Sequence, residues 1–519
     1  MTNRDAEPQY AADTTKPLSK TVLRGGKWLG LAALAQALLQ IVVVAVLARL
    51  LSPAEFGLVA VAGIVIDLAA GIATMGASKA IVQRAELTRH HIRAGFWISV
   101  AMGTLMTVGL HFAAGPVASA LRNPSAAPMI SVLALTFLIR GLGAVPEGLA
   151  TRRFDFRLLA VRKLISYVLG YGAVGITAAY LGAGSWSLVY AQLAQVSLET
   201  LLLIAAVRFD CRFTTTWSAY REVFSYGSGF SVANVLNSVA NQIDRTIIAT
   251  NVNTAAVGLY TRAIQITRYP HRLIGKAIED VLFPTFSGVQ DDRARLTAAY
   301  YRSVGAICII MTPVSTFFCI TAAPITDLLL GPQWSEAIPL ITIFGVTILF
   351  RSVQRSSVAL LLALGNSWLI AALEALLIVS TAIGTLIGVK FGLIGASIGV
   401  TAAFMLHYLA IAAATAIKMS LSARRLIAQH FVGIVLTVPV AVGAAVGSFA
   451  AHAELLPSPV ALLVSGVLAV TLAVAAITAS PRIFLRDDGR WLLSMLLARV
   501  PGKLRKKKLA AFLIRRIAL

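Results

Sequence analysis

Charge is scarce in this chain. Of its 519 residues only 13% are Asp, Glu, Lys or Arg, about half the roughly 25% usual for soluble domains. Acids are scarcer than bases, 22 against 45. With 58% hydrophobic residues and a mean hydropathy of +0.81, the composition excludes a large soluble core and reads as a polytopic membrane protein. Cysteine is nearly absent: Cys211, Cys308 and Cys319 form no disulfide or metal spacing. There is no Walker A loop and no HExxH, which removes the commonest nucleotide and zinc chemistries. No secretory signal is evident, and the polar start, "MTNRDAEPQYAADTTKPLSK", reads as a disordered tail. Polar connections stay within about 20 residues, too short for a soluble catalytic domain.

What is present is a series of apolar runs, each close to the roughly 20 residues a helix needs to cross a bilayer core. They fall near 28–50, 56–78, 94–118, 128–150, 160–182, 185–207, 225–250, 255–285, 300–322, 336–363, 367–389, 392–417, 428–450 and 458–479, fourteen spans in all. Basic residues divide unequally among the connections. Both tails and the loops on their side hold 34 Lys and Arg; the opposite loops hold Arg49, Arg122 and Lys390. By the positive-inside rule both termini are cytoplasmic. The net charge of +23 is therefore topology and not a sign of nucleic acid. The tail "RWLLSMLLARVPGKLRKKKLAAFLIRRIAL" is basic and amphipathic, a helix expected to lie on anionic lipid of the cytoplasmic leaflet.

An offset of 201 residues aligns "GGKWLG…LLSPAEFGLVAVA" with "YGSGFS…TNVNTAAVGLYTRA", placing Gly26 on Gly227, Gly57 on Gly258 and Leu58 on Leu259. Repeated halves are common in transporters. The expected architecture is all-α, about 14 transmembrane helices, with two pseudo-symmetric six-helix bundles plus two C-terminal helices. Its segments are a polar tail (1–24), an N-terminal bundle (25–207), a linker (208–224), a C-terminal bundle (225–418), two further helices (419–480) and the basic tail (481–519).

The stretch "GASIG", 395–399, matches G-x-S-x-G. A nucleophile elbow needs a strand, a turn and a helix, whereas Ser397 sits in the apolar run "FGLIGASIGVTAAF". Gly392, Gly395 and Gly399 read as a small-residue packing face. His90 and His91 lie in a basic loop without companion ligands, so a zinc site is not expected there.

The informative residues are charges inside spans, because such charges face a cavity or a partner. Arg140, Arg245, Arg262, Arg268, Arg272, Lys276, Arg351 and Arg355 are the cations; Asp67, Glu147, Glu199, Asp244 and Glu374 are the acids. Lys276, Glu147 and Arg355 lie where they can snorkel to an interface. In "GLYTRAIQITRYPHRLIGKAIEDVLFP" the residues Arg262, Gln265, Tyr269, Arg272, Lys276 and Glu279 recur at 3, 4, 3, 4, 3, a stripe about 100° wide on one helix face. Arg351 and Arg355 share a face at i,i+4. Guanidinium pairs bidentately with phosphate and keeps its charge, so an anionic ligand is the direct reading; ion pairing between helices is the alternative. Trp186, Trp334 and Trp368, at span ends, read as interface anchors.

The segments "LARLLSPAEFGLVAVA", "QIDRTIIATNVNTAAVGLYTRAIQI", "LGPQWSEAIPLITIF" and "FGLIGASIGV" resemble bacterial polysaccharide-biosynthesis transporters. These are oligosaccharide flippases of the multidrug/oligosaccharidyl-lipid/polysaccharide superfamily. The resemblance covers about residues 20–420. It implies two six-helix bundles around a central basic cavity that opens to one side at a time. It also implies a polyprenyl-pyrophosphate-linked oligosaccharide as cargo and polysaccharide polymerase machinery as a neighbour, at the inner membrane. By position, Arg140, Arg245, Arg262, Arg268, Arg272, Arg351, Arg355 and Tyr269 are the expected substrate-binding residues. Asp244, Glu374, Asp67 and Glu199 are the expected carriers of a coupling proton or sodium ion. No other cofactor, metal or catalytic residue is expected. A drug/cation antiporter and a peptidoglycan-precursor flippase of the same superfamily are the near alternatives. A membrane glycosyltransferase or polymerase is the distant one, since it would need a catalytic domain.

One position separates the halves. Asp244 and Arg245 align with Val43 and Val44, so the scaffold itself does not need charge at this turn. A half-specific role follows, with Arg245 toward the cargo and Asp244 toward a cation such as Arg262 or Arg272.

Overall fold

A computed structural model describes residues 18–73, 76–84, 86–214, 216–270, 282, 284–480 and 484. Helices carry the fold, and no strand occurs among the described residues. The chain forms two compact units, dividing after Gly258. The first contains α1 (Leu18–Leu50), α2 (Pro53–Ala73), α3 (Ala77–Gln83), α4 (Arg89–Ala120), α5 (Ala127–Leu133), α6 (Leu135–Arg152) and α7 (Phe156–Tyr167). It continues with α8 (Ile176–Tyr180), α9 (Trp186–Ala206) and α10 (Trp217–Asn251), and α11 (Thr254–Pro270) runs from its end into the second unit. The second unit holds α12 (Arg293–Ile320), α13 (Ala322–Leu329), α14 (Ile338–Ala363), α15 (Ser367–Gly388), α16 (Gly392–Met419), α17 (Ala423–His452) and α18 (Ser458–Ala479).

Ten helical segments among the described residues are long and apolar enough to cross a membrane, so the protein is an all-α polytopic membrane protein. Their ends are set by local chemistry. Thr88 opens α4 with a capping box completed by His91, and Asp155 and Asp292 cap α7 and α12 through the backbone N–H groups of Leu158 and Arg295. Each side chain thereby satisfies an N–H that the helix leaves open.

The 201-residue repeat is visible in the elements themselves. α1 ends at Leu50 and α10 at Asn251; α2 starts at Pro53 and α11 at Thr254. Both differences equal the offset. Burial follows it too: Val43 and Asp244, Leu47 and Ile248, and Ala48 and Ala249 are all buried.

Two sequence expectations change in detail. The run near 160–182 is not one regular helix, because Val168–Gly175 is π-helical between α7 and α8. The packing face in "FGLIGASIGV" consists of Gly395 and Gly399, whose missing Cβ atoms let α16 meet the Gly388 and Gly384 carbonyls of α15. Gly392 is not part of it. Its φ of 75° places it in the left-handed region and nothing approaches it, so it turns the chain into α16. Ser397 is buried and donates to the Leu393 carbonyl at 3.0 Å, an ordinary helix back-bond.

The second unit is also joined by hydroxyls. Tyr300 on α12 bonds Ser357 on α14 at 2.8 Å, Ser303 bonds Ser356, and Ser315 donates to the Gly345 carbonyl at 2.7 Å. Such bonds substitute in lipid for the missing hydrophobic drive between helices. The basic tail beyond Ser480 lies outside the described residues apart from Phe484.

Candidate functional site

Charged side chains converge inside the first unit. A cavity of about 300 Å³ is lined by Lys79, Arg140, Glu147, Arg162 and Glu199, with Ser78, Thr151 and Thr200 among its neutral polar groups. Arg140 and Glu147 come from α6, Arg162 from α7, Glu199 from α9 and Lys79 from α3. Arg162 is buried and donates to Glu147 at 2.7 Å. Gln195 donates to Glu199 at 2.9 Å, one turn away on α9. Three cations and two acids therefore line the space.

Three of these residues move from their expected places. Lys79 and Arg162 count among the cytoplasmic loop charges by sequence, and Glu147 as an interfacial group, yet all three line this cavity. For Arg162 the cause is that α7 starts at Phe156, which carries the guanidinium nearly two turns into the helix, where Glu147 on the neighbouring helix receives it. Arg152, also counted as a loop charge, donates to the carbonyls of Ile81 and Val82 at 2.9 and 3.4 Å and to that of Arg84. It thus closes the C-terminal end of α3, where open carbonyls favour a cation.

A second polar chain lies in the same unit. Gln242 on α10 donates to Asp67 on α2 at 2.6 Å, and Arg245 donates to Gln242 at 3.1 Å. Arg245 and Arg140 both act electrostatically on Asp67, which links this chain to the cavity. Asp244 is buried and accepts from the Arg245 backbone N–H at 2.8 Å. Asp67, Gln242 and Arg245 thus form one hydrogen-bonded series, while Arg140 and Glu199 line the cavity.

The other expected residues belong to the second unit. On α11, Arg262 donates to Gln265 at 2.7 Å and Gln265 to the Tyr269 hydroxyl at 3.4 Å, so the polar stripe is continuous over its described part. Arg268 is half-buried beside it. Arg272 and Lys276 lie outside the described residues. On α14, Arg351 sits 4.3 Å over the Phe404 ring and Arg355 is half-buried. Glu374 on α15 is exposed.

At the edge of the first unit, Arg84 and His91 both meet Glu222, and Arg93 meets Asp210. His90 bonds Thr214 at 2.9 Å and Thr216 at 3.0 Å. The histidines thus serve capping and loop anchoring, and no group of three or more His, Cys, Asp or Glu able to hold a metal occurs among the described residues. The Arg93 hydrogen bond holds the Asp210 carboxyl below the usual carboxylate range, and the Arg84 hydrogen bond does the same for Glu222.

Buried charge thus lines a cavity within a polytopic helical membrane fold. The fold agrees with two solved transporters. The lipid II flippase MurJ in an inward closed conformation superposes with a TM-score of 0.67 at 9% identity, covering 88% of this chain and 99% of that one. An inward-facing multidrug resistance MATE family transporter of the MOP superfamily superposes at 0.59 with 18% identity, covering 73% and 93%. The chain belongs to the polysaccharide biosynthesis protein family, which it matches over residues 46–339. Among its relatives, the succinoglycan biosynthesis transport protein ExoT of Rhizobium meliloti is 30% identical over 63% of this chain and 66% of that protein. The lipopolysaccharide biosynthesis protein WzxC of Escherichia coli is 25% identical over 67% and 70%. The teichuronic acid biosynthesis protein TuaB of Bacillus subtilis is 22% identical over 67% and 73%.

Proposed function

We propose that this protein is a flippase that moves a polyprenyl-pyrophosphate-linked oligosaccharide across the bacterial inner membrane for surface polysaccharide synthesis. The observation that carries this reading is the charged lining of the first unit, where Arg140, Arg162 and Lys79 outnumber Glu147 and Glu199 around one cavity and Arg245 joins the polar series from Asp67 to Gln242. Family membership and the transport and biosynthesis names of the relatives support it. A diphosphate headgroup carries the charge that guanidinium recognises best. A cationic drug would need an acidic lining instead.

The cargo needs no bond made or broken. Its head passes through the charged interior while the polyprenyl tail stays in lipid, and the protein alternates between inward- and outward-facing states. Arg140 and Arg245 hold the headgroup. Arg262, Arg268, Tyr269, Arg272, Arg351 and Arg355 are the further substrate-binding residues proposed from the sequence, and Asp67, Asp244, Glu199 and Glu374 are the groups proposed to carry a coupling ion. The full complement is fourteen spanning helices in a six, six and two arrangement, with both termini cytoplasmic as the basic loops require. Arg140→Ala and Arg245→Ala, each made at normal protein level, test the reading through surface polysaccharide. Full surface polysaccharide in both would remove these residues from the cargo site.

A further inference from the structure

A second cavity of the first unit, about 650 Å³ in volume, lies against α3. Gln83 and Arg84 line it from the end of that helix, and Ser218, Arg221, Glu222 and Ser225 from the first turns of α10. Ser78, Lys79 and Val82 of α3 line the charged cavity described above, whereas Ala80 and Gln83 line this one. At 100° per residue the two sets fall on opposite faces of the helix. The short helix is thus a wall between two spaces, and no residue lines both.

The chemistry of this second cavity suits a phosphate. Arg84 is paired with Glu222, which His91 also meets at 3.2 Å. Arg221 is exposed and makes no hydrogen bond or ion pair among the described residues. The paired charges cancel, so Arg221 leaves the lining cationic, matched to the single negative charge of a phosphodiester. Gln83, Ser218 and Ser225 add amide and hydroxyl donors. The start of α10, whose cap residue Thr216 makes no side-chain cap bond, favours an anion as well. The surroundings identify the source of the phosphate. Trp217, Tyr220 and Phe224 recur at 3 and 4 on the face of α10 that borders Arg221. Ring centroids are 6.4 Å apart for Trp217 and Tyr220, 6.5 Å for Phe213 and Tyr220, and 6.0 Å for Trp97 and Phe213. Trp97, Phe213, Trp217 and Phe224 are all exposed. An exposed aromatic ledge beside basic groups, at the cytoplasmic end of the spanning helix α4, marks the headgroup level of the bilayer. Phosphate at that level belongs to lipid.

We infer that this cavity binds the headgroup of an anionic phospholipid of the cytoplasmic leaflet. Arg221 holds the phosphodiester, joined by Arg84 once the phosphate replaces Glu222 as its partner, and the acyl chains run along the aromatic ledge. Such a lipid braces α3 from the side opposite the charged cavity. The site goes beyond the cargo reading and stands without it, since other residues line the cavity on which that reading rests.

Lipid titration of the full-length protein in detergent tests it, with phosphatidylglycerol and phosphatidylcholine as probes and bound lipid counted by native mass spectrometry. The wild type retains a tightly held phosphatidylglycerol in preference to phosphatidylcholine. Arg221→Gln weakens its binding by roughly tenfold, the worth of one charged hydrogen bond. Glu222→Gln frees Arg84 and tightens binding. Arg208→Gln, at an exposed cation of the same edge outside the cavity, leaves binding at the wild-type value. All three variants elute from size exclusion as the wild type does. Equal retention of the two lipids overturns the proposal, as does an equal effect of Arg221→Gln and Arg208→Gln or weaker binding in Glu222→Gln. Displacement of the lipid by inorganic phosphate at equal concentration makes the site one for a soluble anion and overturns the proposal too. The cargo reading is untouched by any of these results.

Discussion

Gly57 and Gly258, 201 residues apart, occupy one helix crossing within the first unit. A Cβ on Gly57 would collide with the Thr254 carbonyl, and a Cβ on Gly258 with the Pro53 carbonyl. Pro53 and Thr254 are themselves related by the repeat offset. Each copy therefore presents the same glycine to the same backbone group of the other, and the contact is self-complementary. Backbone on both sides leaves no flexible side chain to yield.

Gly57→Ala and Gly258→Ala are each expected to destabilise the protein by about 1–3 kcal/mol, the usual cost of overpacking. Thermal unfolding in detergent measures this. Gly63→Ala is the control, since nothing lies within 4 Å of the atom it would add, and its melting temperature stays at the wild-type value.

The Arg162–Glu147 pair is asymmetric, with 4% and 44% of the two side chains exposed. Removing Glu147 leaves a buried guanidinium uncompensated; removing Arg162 leaves a carboxylate that still reaches the cavity. Breaking a buried pair costs about 3–5 kcal/mol. Glu147→Leu should fall in that range, and Arg162→Met below it. Melting temperatures of both variants and of the double variant decide the order, and equal losses would contradict the asymmetry.

Arg140→Ala and Arg245→Ala are expected to lower transport by about tenfold or more each, the worth of one charged hydrogen bond at ~1.5–3 kcal/mol. For Arg245→Ala the protein level should be preserved, because the equivalent turn in the first half carries Val43 and Val44 and is built without charge. Quantitative immunoblotting beside surface polysaccharide checks both points. Degradation of Arg245→Ala would make that residue a stability element.

Asp210 sets an acid limit on the edge of the first unit. Its folded-state value is depressed, first by the hydrogen bond from Arg93 and then by the Arg212 backbone N–H. A depressed carboxylate stabilises the folded state fully above its unfolded value, about 3.9. That contribution is lost as pH falls through the lower folded value. The difference in melting temperature between wild type and Asp210→Asn should thus be largest near neutrality and shrink below about pH 4. A difference independent of pH would mean that the ion pair contributes nothing.

Much of this was legible without coordinates. The repeat predicted helix boundaries that recur at the same offset, because the Gly-led starts and short turns are local signals. The stripe on α11 was legible because 3.6-residue periodicity shows which polar groups share a face. Arg162 was not legible: a basic residue near a span end scores as topology, and only the fold places Glu147 opposite it. His407 gave no periodic signal, being a lone histidine on an apolar helix, and its buried ring makes no hydrogen bond among the described residues. The π-helical turn at Val168–Gly175 also has no sequence mark, since it depends on how α9 packs against it.

The most direct test of the account is deletion of the gene followed by analysis of lipid-linked oligosaccharides. The account predicts that complete polyprenyl-diphosphate oligosaccharide accumulates on the cytoplasmic face while surface polysaccharide disappears, and that the intact chain restores both. Unchanged intermediates with normal surface polysaccharide, accompanied by altered sensitivity to cationic drugs, would contradict it.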